Sequence, residues 1–261
     1  MTQDRPLKDR HAIITGGGRG IGAAIGWELG RLGASLTLLG RDLQALQDTA
    51  RDLMDEHAVE VLTIRCDVSD ADSVAEAFAC SRERYPSPAV LVNNAGTAAG
   101  GSFLEITRDS WDQVIAVNLT GAMLCTREVL PAMLEAGNGR IVNIASTAAL
   151  RGYRGVSAYV AAKHGLLGLT RALAQEVARR GVTVNAVCPG YAETGMVRQA
   201  LDALTADGRS ESDARQVLLR GKPLGRLITP QEVAAAVGWL CTPAASGITG
   251  EAIVVAGGEV V

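Results

Sequence analysis

Short apolar runs alternate with amphipathic stretches along the whole chain. Residues 11–15, His-Ala-Ile-Ile-Thr, read as a buried strand, and Ile21, Ile25, Leu29 and Leu32 then recur at helical spacing. The same alternation predicts strands over 35–39, 59–64, 89–92, 140–144, 182–187 and 252–255, most of them separated by helical segments. Near-continuous Val, Ile and Leu strands joined by helices predict a parallel sheet covered on both faces, an α/β architecture. No repeat, low-complexity tract or linker breaks the pattern, so 1–261 reads as a single domain.

One stretch departs from this rhythm. Residues 191–227 carry no predicted strand but hold Gly195, Asp207-Gly208, Gly221, Pro223 and Gly225, with an amphipathic piece over 212–219. A long insertion is usually functional or mobile. This one follows the carboxyl end of the sixth strand, where open α/β sheets bind ligands, and reads as a substrate lid rather than a passive excursion.

Composition narrows the function. The chain has 261 residues, 48% of them hydrophobic, and a formal charge of -3. That suits one large-cored domain, and the absence of a basic run argues against nucleic acid as a partner. The polar start and the lack of an uninterrupted apolar span predict neither a signal peptide nor a membrane crossing. Cys66, Cys80, Cys125, Cys188 and Cys241 are scattered without CxxC or metal spacing, which predicts no metal site, inert buried thiols and a cytoplasmic location.

The turn after the first strand reads Thr15-Gly16-Gly17-Gly18-Arg19-Gly20-Ile21-Gly22. Gly16 suits a tight turn. Gly18, Gly20 and Gly22 let backbone and helix approach a pyrophosphate, which the helix N-terminus attracts. This predicts a dinucleotide site. At the end of the second strand stands Gly40-Arg41-Asp42. Arg41 and Arg19 converging on a 2′-phosphate would select NADP(H); Asp42 on the ribose would select NAD(H). NADP(H) is favoured. Asp67 and Val68 end the third strand, placed for adenine, although Asp67 also suits a turn or an N-cap. Asn93-Asn94-Ala95-Gly96 ends the fourth strand beside the cofactor path, and Pro189, Gly190 and Thr194 follow the sixth.

Tyr159 and Lys163 stand one helical turn apart, and Ser146 precedes the tyrosine by thirteen residues. A nearby ammonium favours the phenolate, and a phenol so tuned can exchange a proton with an alcohol or carbonyl. This ordered set resembles the short-chain dehydrogenase/reductase family over almost the whole chain. The resemblance implies a doubly wound Rossmann sheet of seven strands, a nicotinamide cofactor and a homotetramer or homodimer. It implies Tyr159 as acid/base, Lys163 lowering its pKa and holding the ribose, Ser146 steadying the substrate oxygen, and Asn118 anchoring a water. The last strand departs from the family's frequent pattern by carrying Ala256 before its glycine pair.

The substrate is a small molecule that the sequence defines less well. Pocket candidates are Ala148, Leu150, Tyr153, Tyr191, Met196 and Val197, mostly apolar with two phenols. Arg151, Arg154, Arg209, Arg215, Arg220 and Lys222 suit coenzyme A phosphates or a substrate carboxylate. The chain resembles the branch acting on 3-oxoacyl and 3-hydroxyacyl thioesters, with a CoA ester ahead of a carrier protein. A cyclic, aromatic, sugar or steroid alcohol stays open, as does a non-catalytic dinucleotide sensor.

Overall fold

The computed structural model describes residues 5–206, 208 and 210–260, without the side chains of Met196, Gln199, Ala200, Ala203 and Leu204. Seven strands form one parallel sheet: β1 (His11–Thr15), β2 (Ser35–Gly40), β3 (Val61–Arg65), β4 (Val90–Asn93), β5 (Gly139–Ile144), β6 (Val182–Pro189) and β7 (Ala252–Val255). Their order is β3-β2-β1-β4-β5-β6-β7. Every strand lies within two residues of its predicted span. The order reverses between β1 and β4, so a crevice opens at the carboxyl ends of those strands.

Successive strand residues serve opposite cores, as the pleat demands. Ile14 packs with Ile25 and Leu29 of α1 (Gly20–Arg31), Leu46 and Leu53 of α2 (Leu43–His57), and Val233 and Val237 of α9 (Pro230–Cys241). Ile13 packs with Phe78 of α3 (Ala71–Arg84) and Val129 and Met133 of α5 (Gly121–Ala136). Val177, closing α6 (Ser157–Val177), joins this second core.

The helical run Arg108–Ala136 joins α4 (Arg108–Ile115), a π-helical turn (Ala116–Thr120) and α5. It is long and apolar enough by composition to cross a membrane. In the fold its Cys125, Val129 and Met133 are fully buried against the sheet. The stretch 191–227, expected as a lid, is more ordered than the sequence predicts: besides α8 (Glu211–Leu219) it holds α7 (Gly195–Ala206). Val197, Leu201, Ala214, Leu218 and Leu227 give it a small core of its own. The thiol expectation needs one correction, since Cys80 is exposed while the other four cysteines are buried. No cluster of His, Cys, Asp and Glu suited to a metal occurs among the described residues.

Candidate active site

The glycine turn is built on close approach. Gly16 has φ +66° and Gly20 φ +53°, both left-handed. A Cβ on Gly22 would stand 2.1 Å from the Gly16 carbonyl oxygen, so only glycine fits there. Asn94 locks the turn: its Nδ2 donates to the carbonyls of Thr15 at 2.9 Å and Gly16 at 3.1 Å. Thr15 Oγ1 accepts in return from the amides of Asn94 and Ala95. The Asn94 side chain therefore braces the turn instead of facing a ligand. Asn93 is buried between strands, donating to Asn143 and Thr126.

Helix α1 opens without a side-chain cap and without an acid in its first turn. Helices α2, α3, α4, α8 and α9 all begin on a capping Asp, Thr or Ser. The first amides of α1 thus lack the partner that those helices supply internally, an arrangement suited to an anion. Together with the cradle that a Cβ would fill, this fits a dinucleotide pyrophosphate.

At the tip of β2 one of the two predicted arginines is already paired. Arg19 pairs with Asp42 Oδ2, while Asp42 Oδ1 caps α2 by accepting from the Ala45 amide at 3.1 Å. Both carboxylate oxygens are engaged, which weakens the reading of Asp42 as a ribose ligand. Arg41 is exposed and without an ion pair among the described residues. Asp67 forms a turn, its Oδ1 accepting from Ser69 N and Oγ; the N-cap role belongs to Asp70. Burial pushes the Asp67 carboxyl up, but the Ser69 bonds and the charges of Arg41 and Arg65 outweigh it and hold the group below its ordinary value. Val68 is buried at the edge of a small cavity that Ala95 and Asn118 also line.

The residues expected to transfer protons come together across β5, α6 and the π turn. Ser146 leaves β5 and its Oγ accepts from the Ala148 amide at 3.1 Å. The lone pair so used leaves the serine O–H as a donor, with the Tyr159 phenol within its reach. Lys163 is buried, its Nζ donating to Ile144 O at 2.8 Å and lying 5.5 Å from the Tyr159 ring centroid. Burial pushes Lys163 down to about 8. Burial also raises the Tyr159 phenol, with Ser146 pulling the other way. The expected lowering of Tyr159 by Lys163 is thus not seen in the chain without cofactor, where desolvation outweighs the Ser146 bond. Asn118 sits in the π turn, Nδ2 donating to Thr97 O at 2.7 Å and Val114 O at 2.9 Å. Its Oδ1 has no partner among the described residues. A Cβ on Gly96 would lie 3.0 Å from that oxygen and 3.7 Å from Lys163 Nζ, so Gly96 brings the β4 loop onto both.

Beyond β6, Pro189 ends the strand and the Gly190 amide donates to Val255 O at 3.0 Å. A Cβ on Gly20 would meet the Thr194 methyl at 3.3 Å, so Thr194 stands across the crevice from the glycine turn. Among the substrate candidates, Tyr191 is half-buried and packs on the small core of Val197, Leu201 and Leu218. Ala148 is 3% exposed, so its methyl offers a ligand little surface. Tyr153 is tied to Thr147 and Glu259, each at 2.8 Å. The Met196 side chain and Arg209 lie outside the described residues. Of the predicted cations, Lys222 is buried against Glu259 and Arg151 stacks on Tyr153, leaving Arg154 and Arg220 exposed and Arg215 3.8 Å from Glu193. Sequence reasoning missed Glu259; its one signal is an acid standing directly after the terminal glycine pair of an apolar strand.

Comparison with known proteins agrees with this geometry. A family model described as enoyl-(acyl carrier protein) reductase matches residues 16–259. The chain is 38% identical over 252 residues to the 3-oxoacyl-[acyl-carrier-protein] reductase of Pseudomonas aeruginosa, covering 97% of this chain and 98% of that one. It is 40% identical over 251 residues to the cis-4-hydroxycyclohexanecarboxylate dehydrogenase of Sinomonas cyclohexanicum, covering 96% of each. Among solved structures, a variant of actinorhodin polyketide ketoreductase with NADPH superposes with a TM-score of 0.92 at 40% identity, covering 96% of this chain and 97% of that one. By fold, by ordered motifs and by these relatives, the chain belongs to the short-chain dehydrogenase/reductase family, whose members carry out nicotinamide-dependent oxidoreduction at a ketone or secondary alcohol.

Proposed function

We propose that the chain is an NADPH-dependent reductase of a 3-oxoacyl thioester, with a coenzyme A ester ahead of a carrier protein. The observation that carries the reading is a buried, neutral phenol with the Ser146 hydroxyl as its hydrogen-bond neighbour. When bound, the nicotinamide supplies hydride to the carbonyl carbon or takes it back. Ser146 donates its proton as a hydrogen bond to the substrate oxygen and steadies the charge developing there. Tyr159, held protonated by burial, delivers its phenolic proton to that oxygen. Lys163 gives one N–H to Ile144 O and keeps two for ribose hydroxyls. Asn118 Oδ1 and Lys163 Nζ, both beside Gly96, form the start of a path that returns a proton to Tyr159.

The uncapped start of α1, with Gly16, Gly18, Gly20, Ile21 and Gly22, receives the pyrophosphate. Arg41 and Arg19 receive the 2′-phosphate once Arg19 leaves Asp42. Asp67 and Val68 border the adenine, while Ala95, Gly96, Pro189, Gly190 and Thr194 border the nicotinamide ribose and ring. The NADPH held by the related ketoreductase structure supports NADP(H) over NAD(H). Ser146, Tyr191 and the lid over 191–227 enclose the substrate, and the working unit is a homo-oligomer.

Initial rates with acetoacetyl-CoA, in NADPH and NADH side by side, test this reading. Faster turnover with NADPH is expected. Preference for NADH would move the cofactor choice to Asp42. A cyclic ketone reduced far faster than the thioester would favour the second reading, a cyclic-alcohol dehydrogenase, which the Sinomonas relative and the phenols of Tyr153 and Tyr191 support.

A further inference from the structure

Lys222 and Glu259 form the only ion pair with both side chains buried among the described residues, at 2.8 Å and with 7% and 4% exposure. We propose that this is a positioning pair that fixes the root of the lid and the phenol-lined wall of the pocket, and so sets KM for the ketone without entering proton transfer. The inference rests on the reductase reading and adds to it residues that the family's motifs do not include.

Glu259 gathers three segments. Its Oε1 takes Lys222 of the lid root and, at 2.8 Å, the hydroxyl of Tyr153. The single phenol proton goes to the carboxylate, so Thr147, next to Ser146, donates in the Tyr153–Thr147 contact at 2.8 Å. The Glu259 carbonyl accepts from Arg151, which stacks 4.7 Å from the Tyr153 centroid. Lys222 Nζ lies 4.4 Å from the centroid of Tyr191. The arrangement is built for closeness. A Cβ on Gly190 would meet Glu259 Oε2 at 2.9 Å, one on Gly257 would meet Leu224 Cβ at 2.6 Å, and one on Gly258 would meet Pro223 Cγ at 3.1 Å. Leu224 N also donates to Gly257 O at 3.1 Å. The glycine pair of the tail is therefore the bed of the lid root, with Glu259 as its fastening.

A buried ion pair adds little net stability over an apolar pair of the same shape, whereas removing one partner strands the other. The pair thus fixes an arrangement more than it stabilises the fold. The test compares the parent with K222M, E259Q and the double variant. It follows KM and kcat for the ketone, NADPH affinity by fluorescence titration, and hydrogen exchange across 191–227. Each single variant is expected to raise KM about tenfold, with kcat within about threefold and NADPH affinity within about twofold. Exchange across the lid should quicken in both singles, and the double variant should recover part of both losses. Single variants matching the parent in KM and lid exchange would overturn the proposal. So would a KM rise with an equal loss of NADPH affinity, the mark of general loosening. Should E259Q fail to fold, K222M and the double variant carry the same readouts. A parent that reduces no ketone sinks the proposed activity, while lid exchange still decides whether the pair holds the lid.

Discussion

Tyr159 and Lys163 are four residues apart on α6, and burial acts on them in opposite directions, raising the phenol and lowering the ammonium. The phenol stays a proton donor across the physiological range, and the lysine becomes the group that titrates. Because kcat/KM reports the free enzyme, the ketone-reduction rate is expected to fall as pH rises through about 8, where Lys163 loses its charge. A pH profile of kcat/KM for the parent and Lys163→Met checks this; the limb should vanish in the variant. Tyr159→Phe should lose roughly 10²–10⁴ in kcat at every pH, with its circular dichroism unchanged. Far from this site, burial pushes His11 down to about 3. It stacks on Tyr85 at 4.1 Å and bonds Thr37 at 2.9 Å. The unfolded chain takes up a proton there near pH 6.5 and the folded chain does not. The stability that neutral His11 gives is complete above that pH and declines as pH falls towards 3. Between pH 6.5 and 5 the loss should be about 2 kcal/mol, read as a urea midpoint that falls less in His11→Asn.

At the scale of the element, strands and motifs were legible because each imposes one local requirement. Ile13 and Ile14 point to opposite cores, so both faces of β1 read apolar. Gly22 must be glycine because Gly16 O occupies the place of its Cβ. Gly22→Ala should therefore weaken NADPH binding at least about tenfold through displacement of the turn, measured by fluorescence titration, with the sheet intact by circular dichroism. What sequence missed is set by long-range partners. Helix α7 is not legible in the sequence because its described apolar residues, Val197 and Leu201, are covered by Ala214 and Leu218 of α8 and by Leu227, partners that neither short helix announces alone. The pairing of Arg19 with Asp42 is not visible in the sequence, because nothing in the glycine turn shows that Asp42 reaches it. Asn94 read as a cofactor contact because its bonds to Thr15 and Gly16 span 79 and 78 residues. Glu259 stayed silent for the same reason, since its partners Tyr153 and Lys222 come from two other segments.

At the scale of the molecule, α6 presents a question that one chain does not answer. Gly165 has an internal reason to be glycine, since a Cβ there would strike Leu119 Cδ2 at 2.8 Å. Gly168, one turn further on, is exposed and a Cβ there would meet nothing within 4 Å. A glycine inside a helix costs about 1 kcal/mol relative to alanine, and the single chain returns nothing for it. Around it Leu169 and Leu173 of α6, with Leu130 and Leu134 of α5, are only partly covered. A second copy crossing α6 near Gly168 across a two-fold axis would account for both the missing side chain and the uncovered leucines. Light scattering of the parent at micromolar concentration should then give a dimer or a multiple of it. Gly168→Trp, at an exposed position where a Cβ would meet nothing within 4 Å of its own chain, should shift the mass downward without unfolding the sheet. A parent that scatters as a monomer, or a Gly168→Trp variant with the parent's mass, removes α6 from the interface and leaves that glycine to another cause.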